Sequence, residues 1–134
     1  MNIIALIGPS SCGKTTSLNI VYNILLSNGG ISNNRQSLGG DPNDFSDILT
    51  WQGRQIAFFT MGDYARPVVN ATRDYYNLNC DCLICACNDR FATPIYEFQS
   101  VLYNYNPILK TKEYNRSLRG IADQQAAQTI YNLI

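Results

Sequence analysis

Histidine is absent from this chain of 134 residues, and long hydrophobic runs are absent as well. The chain carries ten basic and ten acidic residues, so its formal net charge is zero. Without a surplus of positive charge, the composition gives no electrostatic case for binding nucleic acid. No apolar segment approaches the length of a membrane-spanning helix, and the apolar run near the N-terminus is too short for a signal peptide. We therefore expect a cytoplasmic protein that does not contact a membrane.

The chain does contain enough apolar material for one compact domain. Hydrophobic residues make up 46% of the sequence. A chain of this length buries roughly two-thirds of the surface that it exposes when unfolded. We expect a single domain spanning residues 1–134.

One stretch carries a recognisable chemical pattern. The sequence GPSSCGKT at residues 8–15 matches GxxxxGK[ST] at every fixed position. The apolar run Ile3–Ile7 precedes it and predicts a buried parallel strand. Apolar residues at helical spacing follow it, up to the stop signal at residues 27–29. Strand, glycine loop and helix thus arrive in the order that a phosphate site requires.

The backbone of this loop accounts for the two fixed glycines. Gly8 and Gly13 allow turns in which successive N–H groups, including those of Ser11 and Cys12, point toward a polyphosphate. The unpaired N–H groups and the positive dipole end of the following helix add to the same site.

Three side chains at the start of the helix extend the site. Lys14 is expected to reach the β- and γ-phosphates, and Thr15 is expected to place its hydroxyl on Mg²⁺. Thr16 is a candidate donor to the α-phosphate. In this stretch the chain resembles the P-loop nucleoside triphosphatase superfamily, closely over about the first 28 residues. The resemblance implies binding of ATP, or another purine nucleoside triphosphate, together with Mg²⁺.

The same resemblance implies an acidic residue at the end of a neighbouring strand. The apolar run Ile56–Thr60 is followed by Asp63, which resembles the Asp that holds Mg²⁺ in P-loop proteins. Asp63 is therefore a candidate for catalysis, together with Lys14, and for the metal site, together with Thr15. That Asp usually follows the apolar run directly, whereas three residues intervene here after Phe59. The alternative for Asp63 is a helix N-cap. Three other nearby acids are alternatives for the metal site, although each is predicted first as a solvated loop or cap residue: Asp41, Asp44 and Asp47.

The remaining pattern predicts an α/β fold. Two strand-like runs, Ile48–Trp51 and Arg54–Thr60, flank the turn Gln52-Gly53 and indicate a hairpin whose first strand lies at the sheet edge. Helices are expected over about 65–77, 93–103 and 121–134, and a last short strand over 108–112. We expect a three-layer α/β/α domain with a mostly parallel sheet of about five strands and one antiparallel edge strand.

Four of the five cysteines lie close together at residues 80–87, where apolar residues separate them. This arrangement predicts a central strand with buried thiols, because a zinc site needs thiolates that converge from separate turns. Basic residues near the expected active edge, Arg66, Arg73 and Arg90, are either phosphate contacts or solvated side chains.

Two classes of function remain open from the sequence. The first is an enzyme that hydrolyses the triphosphate or transfers its γ-phosphoryl group to a small acceptor. The second is a binding module or nucleotide-dependent switch that turns over slowly until a protein partner completes it. The scarcity of arginine between residues 90 and 119 argues against a complete small-molecule kinase, and the small size of the chain and the imperfect match at Asp63 favour the second class somewhat.

Overall fold

The computed structural model describes all 134 residues and has an α/β fold with one mixed sheet and four α-helices. The seven strands are β1 (Asn2–Gly8), β2 (Ile31–Ser32), β3 (Gln36–Ser37), β4 (Phe45–Trp51), β5 (Arg54–Phe59), β6 (Cys82–Asn88) and β7 (Asn104–Leu109). The helices are α1 (Lys14–Ser27), α2 (Ala65–Asn77), α3 (Ala92–Phe98) and α4 (Arg119–Leu133), with a short 3-10 helix at Arg116–Leu118 before α4. The predicted α/β class is confirmed.

The sheet contains more antiparallel pairing than the sequence predicted. Its order is β2-β4-β5-β6-β1-β7, with β3 also paired to β4. Strands β5, β6, β1 and β7 are parallel, whereas the three pairings that involve β4 are antiparallel. The expectation of about five strands with one antiparallel edge strand is therefore wrong. Strands β2 and β3 lie beyond β4, and both are two-residue, solvent-exposed strands with no apolar alternation.

Both faces of the parallel strands are buried. In β1, Ile4 and Leu6 belong to an apolar cluster with residues of α1 and α4. Ile3, Ala5 and Ile7 belong to a second cluster with residues of α2 and α3. This two-sided burial explains why β1 is a continuous apolar run, as the sequence predicted.

Helix α1 ends where the stop signal was predicted. Gly29 has a positive φ of 95°, and the Gly30 N–H donates to the carbonyl of Leu25 at 2.8 Å. The Gly29 N–H donates to the carbonyl of Leu26 at 3.4 Å. Together these bonds form a Schellman ending, which favours glycine because of the left-handed backbone.

The C-terminal third differs from its predicted boundaries. The last strand is β7, four residues earlier than the predicted start at residue 108, and Pro107 lies within it opposite Ala5. Proline is tolerated here because β7 pairs only with β1 and is an edge strand. Helix α3 ends at Phe98 and does not continue to Tyr103. The final helix was predicted within two residues of its start at Arg119.

The parallel strands bring three loops to one edge of the sheet. Strands β1, β5 and β6 end at Gly8, Phe59 and Asn88, and the segments after them meet at this carboxyl edge. Open α/β sheets bind ligands at this edge. None of the helices combines the length and the apolar character that crossing a membrane would require.

Candidate functional site

The GxxxxGK[ST] loop joins the end of β1 to the start of α1. Ser11 and Gly13 have positive φ angles of 59° and 94°, so the backbone turns sharply before the helix. No side chain caps the N-terminus of α1. The first backbone N–H groups of α1 therefore remain available to an anion at the point where the helix dipole favours negative charge.

Both fixed glycines of the loop are required by close contacts. A Cβ at Gly8 would overlap the carbonyl oxygen of Lys110 and lie 2.8 Å from the sulfur of Cys12. A Cβ at Gly13 would overlap Oδ1 of Asp123, and its left-handed backbone disfavours other residues as well. The loop is thus held against the residue that follows β7 and against α4.

The side chain of Lys14 lies along the inside of the loop. Its Nζ donates to the carbonyls of Gly8 at 2.8 Å and Pro9 at 2.7 Å, and it lies 3.8 Å from Sγ of Cys12. Only 7% of Lys14 is exposed. A buried ammonium needs such acceptors, because an unpaired buried charge is costly.

A buried carboxylate lies directly beside the predicted metal-binding hydroxyl. Oδ1 of Asp44 accepts hydrogen bonds from the hydroxyls of Thr15 at 3.0 Å and Thr60 at 2.9 Å. Asp44 is 4% exposed and Thr60 is fully buried. The sequence predicted Asp44 to be a solvated loop or cap residue, and that prediction is wrong.

The pairing of the hairpin explains how Asp44 reaches this position. Strands β4 and β5 pair from Trp51 opposite Arg54 to Ser46 opposite Phe59. One further pair places Phe45 opposite Thr60, whose hydroxyl accepts from the Phe45 N–H at 2.9 Å. Extending the predicted hairpin to its ends would have found this contact, because an antiparallel register is fixed by its turn.

One open cavity of about 610 Å³ contains most of the predicted site. Lys14, Thr15, Asp44 and Thr60 line it, and Asp63 lies exposed at its border. The predicted loop residues on its surface are Ser11, Gly13 and Thr16, together with Ser10. Two predicted residues do not line this cavity: Gly8 and Cys12 are buried beneath the loop.

The oxygen atoms around this cavity suit Mg²⁺. Thr15 supplies a hydroxyl, and Asp44 and Asp63 supply carboxylates. Nowhere do three or more histidine, cysteine or acidic side chains converge into a complete metal cage. Mg²⁺ commonly takes one or two carboxylates and completes its shell with water and substrate phosphates. The donor set therefore fits a metal that arrives with a phosphate ligand.

The end of β6 is tied to the phosphate loop by Asn88. Its Nδ2 donates to the hydroxyl of Ser10 at 3.1 Å, and its Oδ1 accepts from the N–H of Arg90 at 2.9 Å. Its own N–H donates to the carbonyl of Gly62 at 3.1 Å. Asn88 thus positions three loops, while the Arg90 side chain is exposed.

A buried ion pair supports the other side of the loop. Nζ of Lys110 lies 2.8 Å from Oδ1 of Asp123, and the residues are only 7% and 9% exposed. With Thr16 and Glu113 they line a smaller cavity of about 190 Å³ beside Gly13. Sequence reasoning missed this pair. The signal was an acid at position 123 on the apolar face of α4, which also contains Ala127 and Ile130 at helical spacing.

The four cysteines at residues 80–87 behave as buried apolar residues, as predicted. All five are free and buried. Burial raises the pKa of Cys82 to about 12 and that of Cys87 to about 11, and it raises the pKa of Cys85 well above 9.0. Cys80 packs with Cys85 and Cys87 on the face opposite Cys82. These thiols stay protonated at neutral pH, so they are poor nucleophiles.

Comparison with known proteins adds no family to this description. No protein-family model, no curated protein and no solved structure matches the chain.

Proposed function

We propose that this protein is a P-loop domain that binds a purine nucleoside triphosphate, most simply ATP, together with Mg²⁺. We propose further that it hydrolyses the triphosphate or transfers its γ-phosphoryl group to a small acceptor. The observation that carries the proposal is one cavity that contains the uncapped start of α1, Lys14, and the cluster of Thr15, Asp44 and Thr60. The two apolar clusters on either side of the sheet are consistent with a three-layer α/β/α core, and the cytoplasm supplies the nucleotide.

Each residue has a separate role in this proposal. The N–H groups of the loop and of α1 bind the phosphates, and Lys14 exchanges its two carbonyl contacts for phosphate oxygens. Thr15 and Asp44 hold the metal side of the cavity, while Thr60 fixes the orientation of Asp44 through its hydroxyl. A bound Mg²⁺ would neutralise charge on the β- and γ-phosphates during transfer.

We assign Asp63 a different role from Asp44, because Asp63 is exposed at the border of the cavity. From there its carboxylate can accept a hydrogen bond from the attacking water or acceptor, or bind the metal through water. The buried Asp44 is the better candidate for the metal, since it already contacts the hydroxyl of Thr15 at 3.0 Å.

A second function, a switch with slow turnover, is favoured by one observation. No arginine lines the phosphate cavity. Arginine supplied from a partner stabilises the transferred charge in many slow P-loop proteins. Production of ADP that rises with a small acceptor would support the enzyme, whereas tight binding with little turnover would support the switch.

The test is thermal stabilisation by ATP, GTP and ADP, each with and without Mg²⁺. A ligand at one hundred times its dissociation constant stabilises the folded state by about 2.7 kcal/mol. For a domain of this size that is a rise in melting temperature of roughly 10 °C. We expect this rise with ATP and Mg²⁺ in the wild type and in the control Lys112→Ala, whose lysine is exposed.

The Lys14→Ala variant is expected to lose the nucleotide response. It also loses two hydrogen bonds within the loop, so its melting temperature without ligand is expected to fall. Each variant is therefore compared with its own ligand-free state. Equal nucleotide shifts in Lys14→Ala and the wild type would contradict the phosphate site, and a missing shift in the wild type would contradict nucleotide binding itself.

A further inference from the structure

A second large cavity lies beside the phosphate cavity, between α2 and α3. Its volume is about 740 Å³, within the range of roughly 300–1,000 Å³ that is usual for small-molecule sites. Helix α2 contributes Arg66, Asn70 and Arg73 to its wall, and α3 contributes Tyr96 and Glu97.

Neighbouring residues of the chain at the start of α2 line the two cavities. Tyr64 lines the phosphate cavity, and the next residue, Ala65, lines the second one. Consecutive Cα atoms are about 3.8 Å apart. A molecule bound against the first turn of α2 therefore lies next to the contents of the phosphate cavity.

The second cavity has one positive charge without a partner. Arg73 is paired with Glu97, with 2.5 Å between Nε and Oε1. Arg66 lies two turns earlier on the same face of α2 and forms no ion pair. The planar guanidinium matches the oxygen atoms of a phosphate or carboxylate group.

An aromatic ring stands at the opposite wall. Tyr96 is 81% exposed although it belongs to a helix whose neighbouring side chain Phe98 is fully buried. Val69 and Ala92 add apolar surface to the cavity. An exposed tyrosine above apolar side chains provides a face on which a flat ring can stack.

From this arrangement we propose that the cavity between α2 and α3 binds a small oxyanion that carries a ring, either a phosphomonoester or a carboxylate. Arg66 binds the oxyanion and Tyr96 stacks on the ring. The proposal rests on the proposed function, because it makes this molecule the acceptor of the γ-phosphoryl group.

The transfer balances without an added base. An oxygen of the acceptor's oxyanion forms the new bond to the γ-phosphorus, and the bond between that phosphorus and the β–γ bridging oxygen breaks. The nucleoside diphosphate leaves with the electron pair. No proton has to be removed from the acceptor, which suits a cavity whose only acidic side chain, Glu97, is already paired with Arg73.

The binding test uses phenyl phosphate and benzoate as minimal ring probes, and glycerol 3-phosphate as a phosphomonoester without a ring. Isothermal titration measures each probe against the wild type and four variants: Arg66→Gln, Tyr96→Ala, Lys14→Ala and Arg54→Gln. Arg54 begins β5 at the opposite edge of the sheet and is the matched control for Arg66. Lys14→Ala separates binding in the second cavity from binding at the phosphate loop.

We expect phenyl phosphate or benzoate to bind the wild type. The probe that binds more tightly shows whether the site prefers a phosphomonoester or a carboxylate. Arg66→Gln is expected to weaken that probe by about tenfold or more, because a charge-assisted contact is lost. Tyr96→Ala is expected to weaken the ring probes and to leave glycerol 3-phosphate unchanged. Arg54→Gln is expected to bind the ring probes like the wild type, and Lys14→Ala is expected to keep the part of their binding that depends on Arg66.

The transfer test adds ATP and Mg²⁺ and follows the phosphorus signals by NMR. A new phosphoanhydride or acyl phosphate, formed with ADP and lost in Arg66→Gln, is the expected product. Two results would overturn the acceptor site while leaving the nucleotide site supported by the ATP stabilisation. In the first, neither ring probe binds at millimolar concentration. In the second, binding of the ring probes depends on Lys14 and not on Arg66. If ATP itself gives no stabilisation, the proposed function has failed instead.

Discussion

Gly13 and Gly29 offer a matched pair that tests how the phosphate loop is supported. Their φ angles are 94° and 95°, so an alanine at either position meets the same unfavourable left-handed backbone. Their surroundings differ. A Cβ at Gly13 would overlap Oδ1 of Asp123, whereas a Cβ at Gly29 would have no neighbour within 4 Å. The difference between the two variants therefore isolates the contact with Asp123.

The expected magnitudes follow from these surroundings. Left-handed backbone costs a residue with a Cβ about 1–2 kcal/mol, and this is the whole effect expected for Gly29→Ala. In Gly13→Ala the new methyl group also displaces the atom of Asp123 that lies 2.8 Å from Nζ of Lys110. Breaking a buried ion pair costs about 3–5 kcal/mol at most. We expect Gly13→Ala to lower the free energy of unfolding by at least about 2 kcal/mol more than Gly29→Ala.

Urea denaturation of the ligand-free protein measures both losses from the midpoints, provided that the slopes agree. A double-mutant cycle with Asp123→Ala adds a second readout. Removing the carboxylate also removes the overlap, so the double variant is expected to lose less stability than the sum of the single variants. Equal losses for Gly13→Ala and Gly29→Ala, or strict additivity in the cycle, would refute the idea that the ion pair supports the loop.

Two further predictions concern the metal and the cysteines. Asp44→Asn is expected to reduce the Mg²⁺-dependent part of the ATP stabilisation more than Asp63→Asn does. Melting temperatures with ATP, with and without the metal, measure this difference. If Asp63→Asn has the larger effect, Asp63 and not Asp44 is the metal ligand. Burial raises the pKa of Cys82 to about 12 and of Cys87 to about 11, from 9.0, so the unfolded thiols ionise first. The free energy of unfolding is therefore expected to fall as the pH rises from about 9 through these pKa values. In Cys82→Val, which lacks one of the buried thiols, the free energy of unfolding is expected to fall less over the same pH range. Urea titrations that give the same pH dependence for Cys82→Val and the wild type would contradict this expectation.

The part of the fold that the sequence predicted best is local. Three consecutive elements were predicted: β1, the GxxxxGK[ST] loop and α1. A continuous apolar run predicts β1, the fixed glycines predict the loop, and apolar residues at helical spacing predict α1. The hairpin turn was also recognised from adjacent residues, and Gln52 and Gly53 both have the positive φ angles that such a turn requires, 51° and 73°.

The features that the sequence did not predict depend on distant partners. Strand β4 begins at Phe45, three residues before the predicted start at Ile48, and includes the polar and buried Asp47. That carboxylate accepts hydrogen bonds from Tyr22 of α1 and Ser32 of β2, at 2.8 Å and 2.5 Å. An acid looks like a loop residue until its donors are known, and these donors lie 25 and 15 positions away.

Asp44 also depends on partners that are distant in the sequence, although the hairpin register places it beside Thr60, and it gives the offset of Asp63 a physical reason. Where the P-loop resemblance leads one to expect an acid, directly after the apolar strand, this chain has Thr60. The Thr60 hydroxyl donates to Asp44, so a carboxylate does reach the hydroxyl of Thr15, but it comes from the residue that directly precedes the antiparallel strand β4. Because Asp44 already places a carboxylate beside Thr15, the site does not require Asp63 there. Asp63 lies exposed at the border of the cavity, just before the first turn of α2. This division of roles makes the antiparallel strand a part of the candidate site, because moving its register by one residue would turn the side chains of β4 to the other face and remove the acid from Thr15.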